Sequence, residues 1–238
     1  MITKNNWLTF DGKSTKDFGV YLVGNAVYNA PEREYEKISI PGKSGDLLID
    51  NNRYGNVEIP YSVIVYDDFD TNVIGLRNYL LSKTGYHRLE DTYFPEEYRI
   101  ARYSGGLELE SLRHSDIGTA TITFDCKPQR FLKSGEITKI YTSNNVIYNP
   151  TFMQSKPLLR VYGTGDISIG DRTITIVSAD VYTDIDCDLQ DAYKGTVNCN
   201  GNIVLASGNF FVLNPGVNGI YLGNGITRVE ITPRWWVI

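Results

Sequence analysis

Gly118-Thr-Ala-Thr-Ile-Thr-Phe-Asp-Cys126 alternates apolar and polar residues at a period of two. Ala120, Ile122, Phe124 and Cys126 fall on one face, and Thr119, Thr121, Thr123 and Asp125 on the other. The pattern predicts a strand with one buried side, the other side being wet or paired with a neighbour. Working outward, the chain keeps this character. Trp7-Leu-Thr-Phe-Asp-Gly12 reads as a short strand entering an Asp-Gly turn, and Ser14 to Val23 as the return. Tyr35 to Ile40 alternates before the turn at Pro41-Gly42. Val57 to Tyr66 is β-branched and aromatic, with Pro60 marking an edge strand or a bulge. Residues 98 to 126 are strand again.

One helix interrupts the strands. Val73, Leu76 and Leu80, flanked by Ile74 and Leu81, recur at three- and four-residue spacings. Asp70 or Thr71 is the expected N-cap, Lys83 sits in the last turn and Gly85 is the stop. Such a helix would cover one face of a sheet.

A polar stretch opens at Lys133-Ser-Gly135 and continues through Thr142-Ser-Asn-Asn145 and Asn149-Pro150. We place a domain boundary there, giving domains 1–133 and 134–238. The second half shows short strands at close spacing: Leu158 to Tyr162, Ile167 to Ile169, Thr173 to Val177 and Val181 to Cys187. Ile203 to Leu205, Phe210 to Leu213, Ile220 to Leu222 and Arg228 to Thr232 follow. Gly, Asn and Asp punctuate them, which is the pattern of a β-sandwich or jelly roll. The fold class is therefore mainly β, an N-terminal β domain with one helix followed by a β-sandwich. The 17 Tyr and 9 Phe agree with that, since aromatic residues favour strands.

Charge excludes one class of partner. The net charge is -5, and residues up to Lys133 carry 16 basic against 19 acidic groups, so neither half offers phosphate a basic platform. No nucleic acid partner is expected. No membrane partner is expected either: Met1 to Trp7 lacks the apolar core of a secretory signal, and no window approaches a membrane span. Cys126, Cys187 and Cys199 are odd in number and form no Cys-x-x-Cys pair, so free, half-buried thiols on strands are expected rather than disulfides or zinc.

Motifs for chemistry fail on inspection. Gly42-Lys43-Ser44 resembles the end of a phosphate-binding loop, but position 37 is Lys37 where glycine is needed, and Leu47-Leu-Ile49 reads as strand rather than helix. A Gly-rich hairpin is the expectation. Asp184, Asp186 and Asp188 have the spacing that opens a calcium loop, yet the sixth and twelfth positions are Leu189 and Gly195. On a strand they would form a solvated or interface-facing acidic stripe, with Ile185, Cys187 and Leu189 on the opposite face. His114, Ser115 and Asp116 are adjacent and cannot converge as a triad, and there is no Gly-x-Ser-x-Gly elbow. His114 and His87 are expected in surface or loop roles. Two carboxylates suffice for glycoside hydrolysis, but nothing here singles out a pair. At Trp235-Trp236 one indole is expected in the core and the other outside. No catalytic, cofactor-binding or metal-ligating residue is assigned, no cofactor is expected, and the chain is not read as an enzyme.

Several pieces, in order, resemble one family. They are Lys16-Asp-Phe-Gly-Val20, Pro41-Gly-Lys-Ser-Gly-Asp46, Asp50-Asn-Asn-Arg-Tyr54 with the strand through Tyr61, and Phe124-Asp-Cys-Lys-Pro-Gln-Arg-Phe131. In the second half they are Asn149-Pro-Thr-Phe152, Ser155-Lys-Pro157 and Tyr162-Gly-Thr-Gly165. Asp184-Ile-Asp-Cys-Asp188 with Asp191-Ala-Tyr193, and Phe211-Val-Leu-Asn-Pro-Gly216 before Asn218, complete the set. Their order and spacing are similar to those of the distal tail proteins of long-tailed (siphovirus) phages of Gram-positive bacteria. The resemblance implies a hexameric ring built by the N-terminal domain, a galectin-like C-terminal sandwich, and a hub at the virion tail tip. The partners it implies are other copies of the chain, the tail tube protein, the tail-tip fibre or lysin protein, and receptor-binding proteins. An alternative is a carbohydrate-binding module for host wall saccharides.

Overall fold

The computed structural model describes residues 5–26, 28–66, 68–105, 108–111 (backbone only) and 117–238. Two compact units result: Met1–Arg130, which also takes Ile238, and Phe131–Val237.

The first unit contains β1 (Leu8–Phe10), β2 (Lys13–Ser14), β3 (Val20–Leu22), β4 (Arg33–Ser39), β5 (Asp46–Tyr54) and β6 (Val57–Val65). The one α-helix among the described residues, α1 (Phe69–Ser82), precedes β7 (His87–Asp91), β8 (Glu97–Tyr103), β9 (Glu108–Ser111) and β10 (Gly118–Leu132). The main sheet runs in the order β2-β1-β7-β8-β10-β6-β3, with β9 also against β10. As the alternation predicts, Ile122, Phe124 and Cys126 are buried and Thr119 and Thr121 exposed. Phe124 anchors the core, with ring centroids 5.0 Å from Phe10, 6.2 Å from Tyr61 and 6.0 Å from Tyr103. The wet face is not wholly wet. Asp125 is buried, accepting from Arg102 Nε at 2.6 Å and Asn56 Nδ2 at 2.9 Å, because those long side chains fold across it.

Pro60 sits opposite Thr123 in the ladder with β10, while β3 pairs β6 only from Val63 to Val65. Pro60 thus lies where one flank of the strand has no ladder partner, a place that tolerates a missing N–H. Val73, Leu76 and Leu80 of α1 are buried in this core, as their spacing predicts. The helix starts earlier than its cap residues suggest. Asp68 occupies the N-cap position with φ 40° and makes no side-chain cap bond, so Asp70 and Thr71 lie inside the first turn. Lys83 falls just beyond the helix, in extended backbone, where its ammonium bonds Asp11 at 2.5 Å. Gly19 closes the Lys16-Asp-Phe-Gly motif: it has φ 63°, and a Cβ there would meet the Tyr66 carbonyl at 2.7 Å.

The second unit is a two-sheet sandwich. Its strands are β11 (Lys139–Tyr141), β12 (Asn145–Asn149), β13 (Leu158–Gly163), β14 (Gly165–Ile169), β15 (Arg172–Ile176) and β16 (Tyr182–Asp186). They continue with β17 (Asp191–Lys194), β18 (Val197–Asn198), β19 (Ile203–Leu205), β20 (Gly216–Leu222) and β21 (Ile226–Thr232). One sheet has the order β11-β21-β13-β16-β17-β18 and the other β12-β20-β14-β15-β19. Ile147, Ile167, Ile174 and Ile220 of the second sheet share a core with Leu159, Ile185 and Val229 of the first.

Two sequence expectations change here. The polar stretch after Lys133 is not a bare connection: β11 and β12 lie within it, their pairing with β21 and β20 overriding weak local patterning. Phe210 to Leu213 is not a strand. Only Leu213 pairs, in an isolated bridge with Ser155, although Phe211 and Leu213 are fully buried.

Candidate interaction surfaces

The hairpin β4–β5 forms a sheet of its own, with no third strand on either edge among the described residues. Cross-strand partners share a face, so Ile38 opposite Leu47 and Glu36 opposite Ile49 project together, while Lys37 with Leu48 and Tyr35 with Asp50 project the other way. Both faces carry exposed apolar side chains: Ile38, Leu47 and Ile49 on one, Tyr35 and Leu48 on the other. A two-stranded ribbon is marginal in water by itself. What fixes this one is at its root. Arg33 donates to Asp50 through Nε at 2.8 Å and to the Tyr54 hydroxyl at 3.1 Å, and Arg53 pairs with Glu34 at 2.9 Å. The Arg33 guanidinium, helped by the Asn52 N–H, holds the Asp50 carboxyl below the usual range. Between the root and the body lies an open groove of about 590 Å³ lined by Pro31, Glu34, Asn51 and Glu58 among others.

Lys43 and Ser44 sit at the tip of this ribbon in an exposed turn, and Leu47 to Ile49 are strand, as the hairpin reading requires. A second exposed apolar surface is the outward side of α1, where Ile74 and Leu81 stand in solvent.

The acidic stripe is overturned. Asp184 and Asp186 are buried, because Arg160 of the neighbouring β13 and Arg234 of the segment after β21 lie over them. Arg160 donates to Asp184 through Nε at 2.7 Å and Nη2 at 2.9 Å, and Arg234 to Asp186 through two bonds of 2.8 Å. Asp188 alone is exposed, with Lys156 3.2 Å away. The shared-face argument also stops at Cys187, since β16 ends at Asp186 and Leu189 turns out to solvent. The surrounding face carries Arg228 3.9 Å over the Tyr162 ring and Arg160 4.2 Å over Tyr182. This is an ionic and cation–π layer in which the carboxylates of Asp184 and Asp186 are paired, while the buried Thr183 hydroxyl and Arg228 Nε have no hydrogen-bond partner among the described residues. No signal in the sequence separates a buried acidic stripe from a wet one except arginines distant along the chain, Arg160 and Arg234.

His87 is half-buried on β7 rather than in a loop; its Nε2 lies 2.9 Å from the Thr84 carbonyl and its Nδ1 3.2 Å from Asp11. His114, Ser115 and Asp116 lie outside the described residues. Trp235 is in the sandwich core, and Trp236 is half-exposed with its Nε1 donating to the Gln154 carbonyl at 2.8 Å. All three cysteines are buried rather than half-buried, and neither Cys187, in a turn, nor Cys199, at the start of a short 3-10 helix, is on a strand. Among the described residues no three His, Cys, Asp or Glu side chains cluster as metal ligands, and no helix is long and apolar enough to cross a membrane.

No protein-family model matches the chain, and no curated relative does. Solved structures do. The crystal structure of SPP1 Dit (gp 19.1), described as a paradigm of the hub adsorption apparatus in phages infecting Gram-positive bacteria, superposes with a TM-score of 0.76. The match covers 99% of this chain and 100% of that one at 15% identity, so the likeness is one of fold. A chain of the phage P2 baseplate in its activated conformation with calcium aligns over 97% of this chain and 98% of its own, at 12% identity and a TM-score of 0.48, too low to carry an argument.

Proposed function

We propose that the chain is a structural hub of a phage tail tip, assembling as a hexameric ring that joins the tail tube to the tail-tip fibre or lysin protein and to receptor-binding proteins. The observation that carries this reading is the fold shared with SPP1 Dit over 99% of this chain and 100% of that one. The sequence resemblance points the same way. On this reading the protein works in the virion and is not an enzyme.

The ribbon supplies a physical route to the ring. A closed ring needs two different, complementary patches on each subunit. The β4–β5 ribbon, with exposed apolar side chains on both faces and ionic anchors at its root, is one such patch. Laid against a neighbour it would lose its exposed aliphatic surface. The exposed threonines of β10 and the unpaired flank of β6 near Pro60 are candidates for the receiving patch.

Native mass spectrometry with negative-stain microscopy of the purified chain tests this. Six subunits around a central hole are expected, and Ile38→Ser combined with Leu47→Ser should release monomers of unchanged melting temperature. A chain that stays monomeric both alone and when co-expressed with tail-tube and tail-tip proteins overturns the reading.

A further inference from the structure

Three asparagines of the chain stand directly before glycine: Asn200, Asn218 and Asn224. Such a pair can react with itself. The glycine backbone nitrogen attacks the asparagine Cγ, and no Cβ on the glycine obstructs the approach. The fold treats the three pairs differently. Asn218, on β20, is 2% exposed. Its Oδ1 accepts from the Asn214 N–H at 2.8 Å, and its Nδ2 donates to the carbonyls of Asn214 at 2.8 Å and Gly216 at 3.1 Å. Gly219 beside it is held in the ladder opposite Val146. Asn200, in the short helical turn Asn200–Asn202, is exposed but engaged. Its Oδ1 accepts from the Ala192 N–H at 2.7 Å, and its Nδ2 donates to Asp191 at 2.6 Å. Neither amide can swing onto the following nitrogen without giving up these bonds.

Asn224 is the exception. It lies in the connection from β20 to β21, and both it and Gly225 are exposed. Among the described residues no hydrogen bond reaches the Asn224 side chain or the Gly225 N–H. The main chain on either side is nevertheless fixed. Gly223 N–H donates to the Asp166 carbonyl at 2.8 Å, and Ile226 N–H to the Gly223 carbonyl at 3.2 Å. The Asn224 carbonyl oxygen lies where a Cβ on Gly165 would come within 2.3 Å, and a Cβ on Gly223 would meet the Asp166 carbonyl oxygen at 2.8 Å. A free amide and a free backbone nitrogen thus stand next to each other in water, on a turn whose flanks press against a neighbouring strand.

We infer that Asn224 is a self-modification site, at which aspartate and isoaspartate form without an enzyme while Asn200 and Asn218 are protected by the fold. The Gly225 nitrogen gives up its proton to solvent and forms a bond to Asn224 Cγ. The Cγ–Nδ2 bond breaks, and Nδ2 leaves as ammonia. One water then opens the cyclic imide at either of its carbonyls. Opening at Cγ gives aspartate; opening at the main-chain carbonyl gives isoaspartate, in which the backbone runs through the side-chain carbons. Nothing is oxidised or reduced. Both products add a negative charge to Gly195–Thr227, a stretch without Asp, Glu, Lys or Arg. Isoaspartate also inserts a carbon into a main chain already in close approach to Thr164–Asp166, and packing this tight has no room for it. The second unit should therefore weaken as isoaspartate accumulates. This inference is independent of the hub reading.

The test ages the full chain in mildly alkaline buffer and follows it by isoelectric focusing and peptide mass spectrometry, with an isoaspartyl methyltransferase marking isoaspartate. The acidic species should map to Asn224 at least about tenfold sooner than to Asn200 or Asn218, whose reaction waits on local opening. In urea, where that protection is gone, the three should convert alike. Asn224→Ser should abolish the early acidic species. Asn224→Asp carries the charge without the extra backbone carbon and should melt like fresh wild type, so that a lower melting temperature of the aged chain belongs to isoaspartate. Equal rates at the three sites in the native chain, or conversion first at Asn200 or Asn218, overturns the inference. So does a native chain that leaves Asn224 intact while the urea-unfolded chain converts it. An Asn224→Asp chain as weak as the aged protein would place the damage in the charge and overturn the backbone argument.

Discussion

Arg234 clasps Asp186 with two parallel bonds, Nη1 to Oδ1 and Nη2 to Oδ2, each 2.8 Å, from a backbone in the left-handed region at φ 58°. Asp186 is 3% exposed and also accepts from the amides of Asp188 at 3.0 Å and Leu189 at 3.1 Å. The bidentate fork therefore ties the turn after β16 to the segment that follows β21. Removing one member leaves the other without its counter-charge. Arg234→Met should destabilise the second unit by about 2–3 kcal/mol, below the ~3–5 of a wholly buried pair because a third of the arginine side chain stays in water. Urea unfolding followed by Trp235 and Trp236 fluorescence measures it, and a loss under ~0.5 kcal/mol would show that the pair is ornamental.

The same pair sets an acid limit. Burial pushes the Asp186 carboxyl up, but the Arg234 guanidinium and the two amides outweigh it, so the group ends below its ordinary value. A carboxylate depressed on folding contributes stability that is fully present above the unfolded value near ~3.9 and is lost as pH falls through the lowered folded value. Wild type and Asp186→Asn should thus differ most at pH 5 to 7, and the gap should close below about pH 4. A gap that persists unchanged to pH 3 would mean that the carboxylate's charge is not what stabilises the turn.

How much of this was legible in the chain differs between the two units. The alternation of residues 118–126 and the spacing of Val73, Leu76 and Leu80 name buried faces directly, because each period maps onto one side of an element. β11 and β12 carry little such signal: Lys139-Ile-Tyr141 and Asn145-Val-Ile-Tyr-Asn149 look like linker until β21 and β20 supply their ladders. Asp184 and Asp186 misled for a related reason. Period two assigns them to the non-core face, and only the partners Arg160 and Arg234, distant in sequence, make that face dry. The ribbon was readable as a hairpin from Pro41-Gly42, but its isolation was not, since nothing local says that a third strand fails to arrive.

Phe124 tests the first core. Its ring is 1% exposed and meets three other aromatic rings within 6.2 Å. Phe124→Ala should cost about 3–5 kcal/mol, from lost transfer energy and a cavity its stiff neighbours cannot fill. Differential scanning calorimetry would register it in the first unit. A drop below ~1 kcal/mol would mean the site collapses freely, contrary to tight packing.

Thiol chemistry reports on the native state. Burial pushes the thiols of Cys126 and Cys187 up to about 12. The thiolate is the reactive form, so both should stay inert to maleimide at pH 7 to 9. Mass spectrometry after labelling is expected to find neither modified until denaturant is added. Rapid native labelling of Cys187 would show that the turn behind Asp186 opens on its own.

Gly163 and Gly225 show where two backbones touch. Gly163 has φ 100°, and a Cβ there would lie 2.0 Å from the Gly225 carbonyl oxygen, at the point where the β13–β21 register shifts. Gly225, at φ 91°, would in turn place a Cβ 2.3 Å from the Thr164 carbonyl oxygen. Neither contact can be relieved by a side-chain rotation, because both obstacles are main chain. Gly163→Ala combines an unfavourable dihedral of about 1–3 kcal/mol with overpacking of similar size. We expect a loss near 3 kcal/mol in the second unit, with the ribbon and the first unit unaffected. Gly170→Ala is the control: it also has positive φ, at 60°, but nothing lies within 4 Å of its added Cβ. It should cost only the dihedral, about 1 kcal/mol. Equal losses in the two variants would mean that strain at positive φ, and not the close approach of the strands, governs both sites.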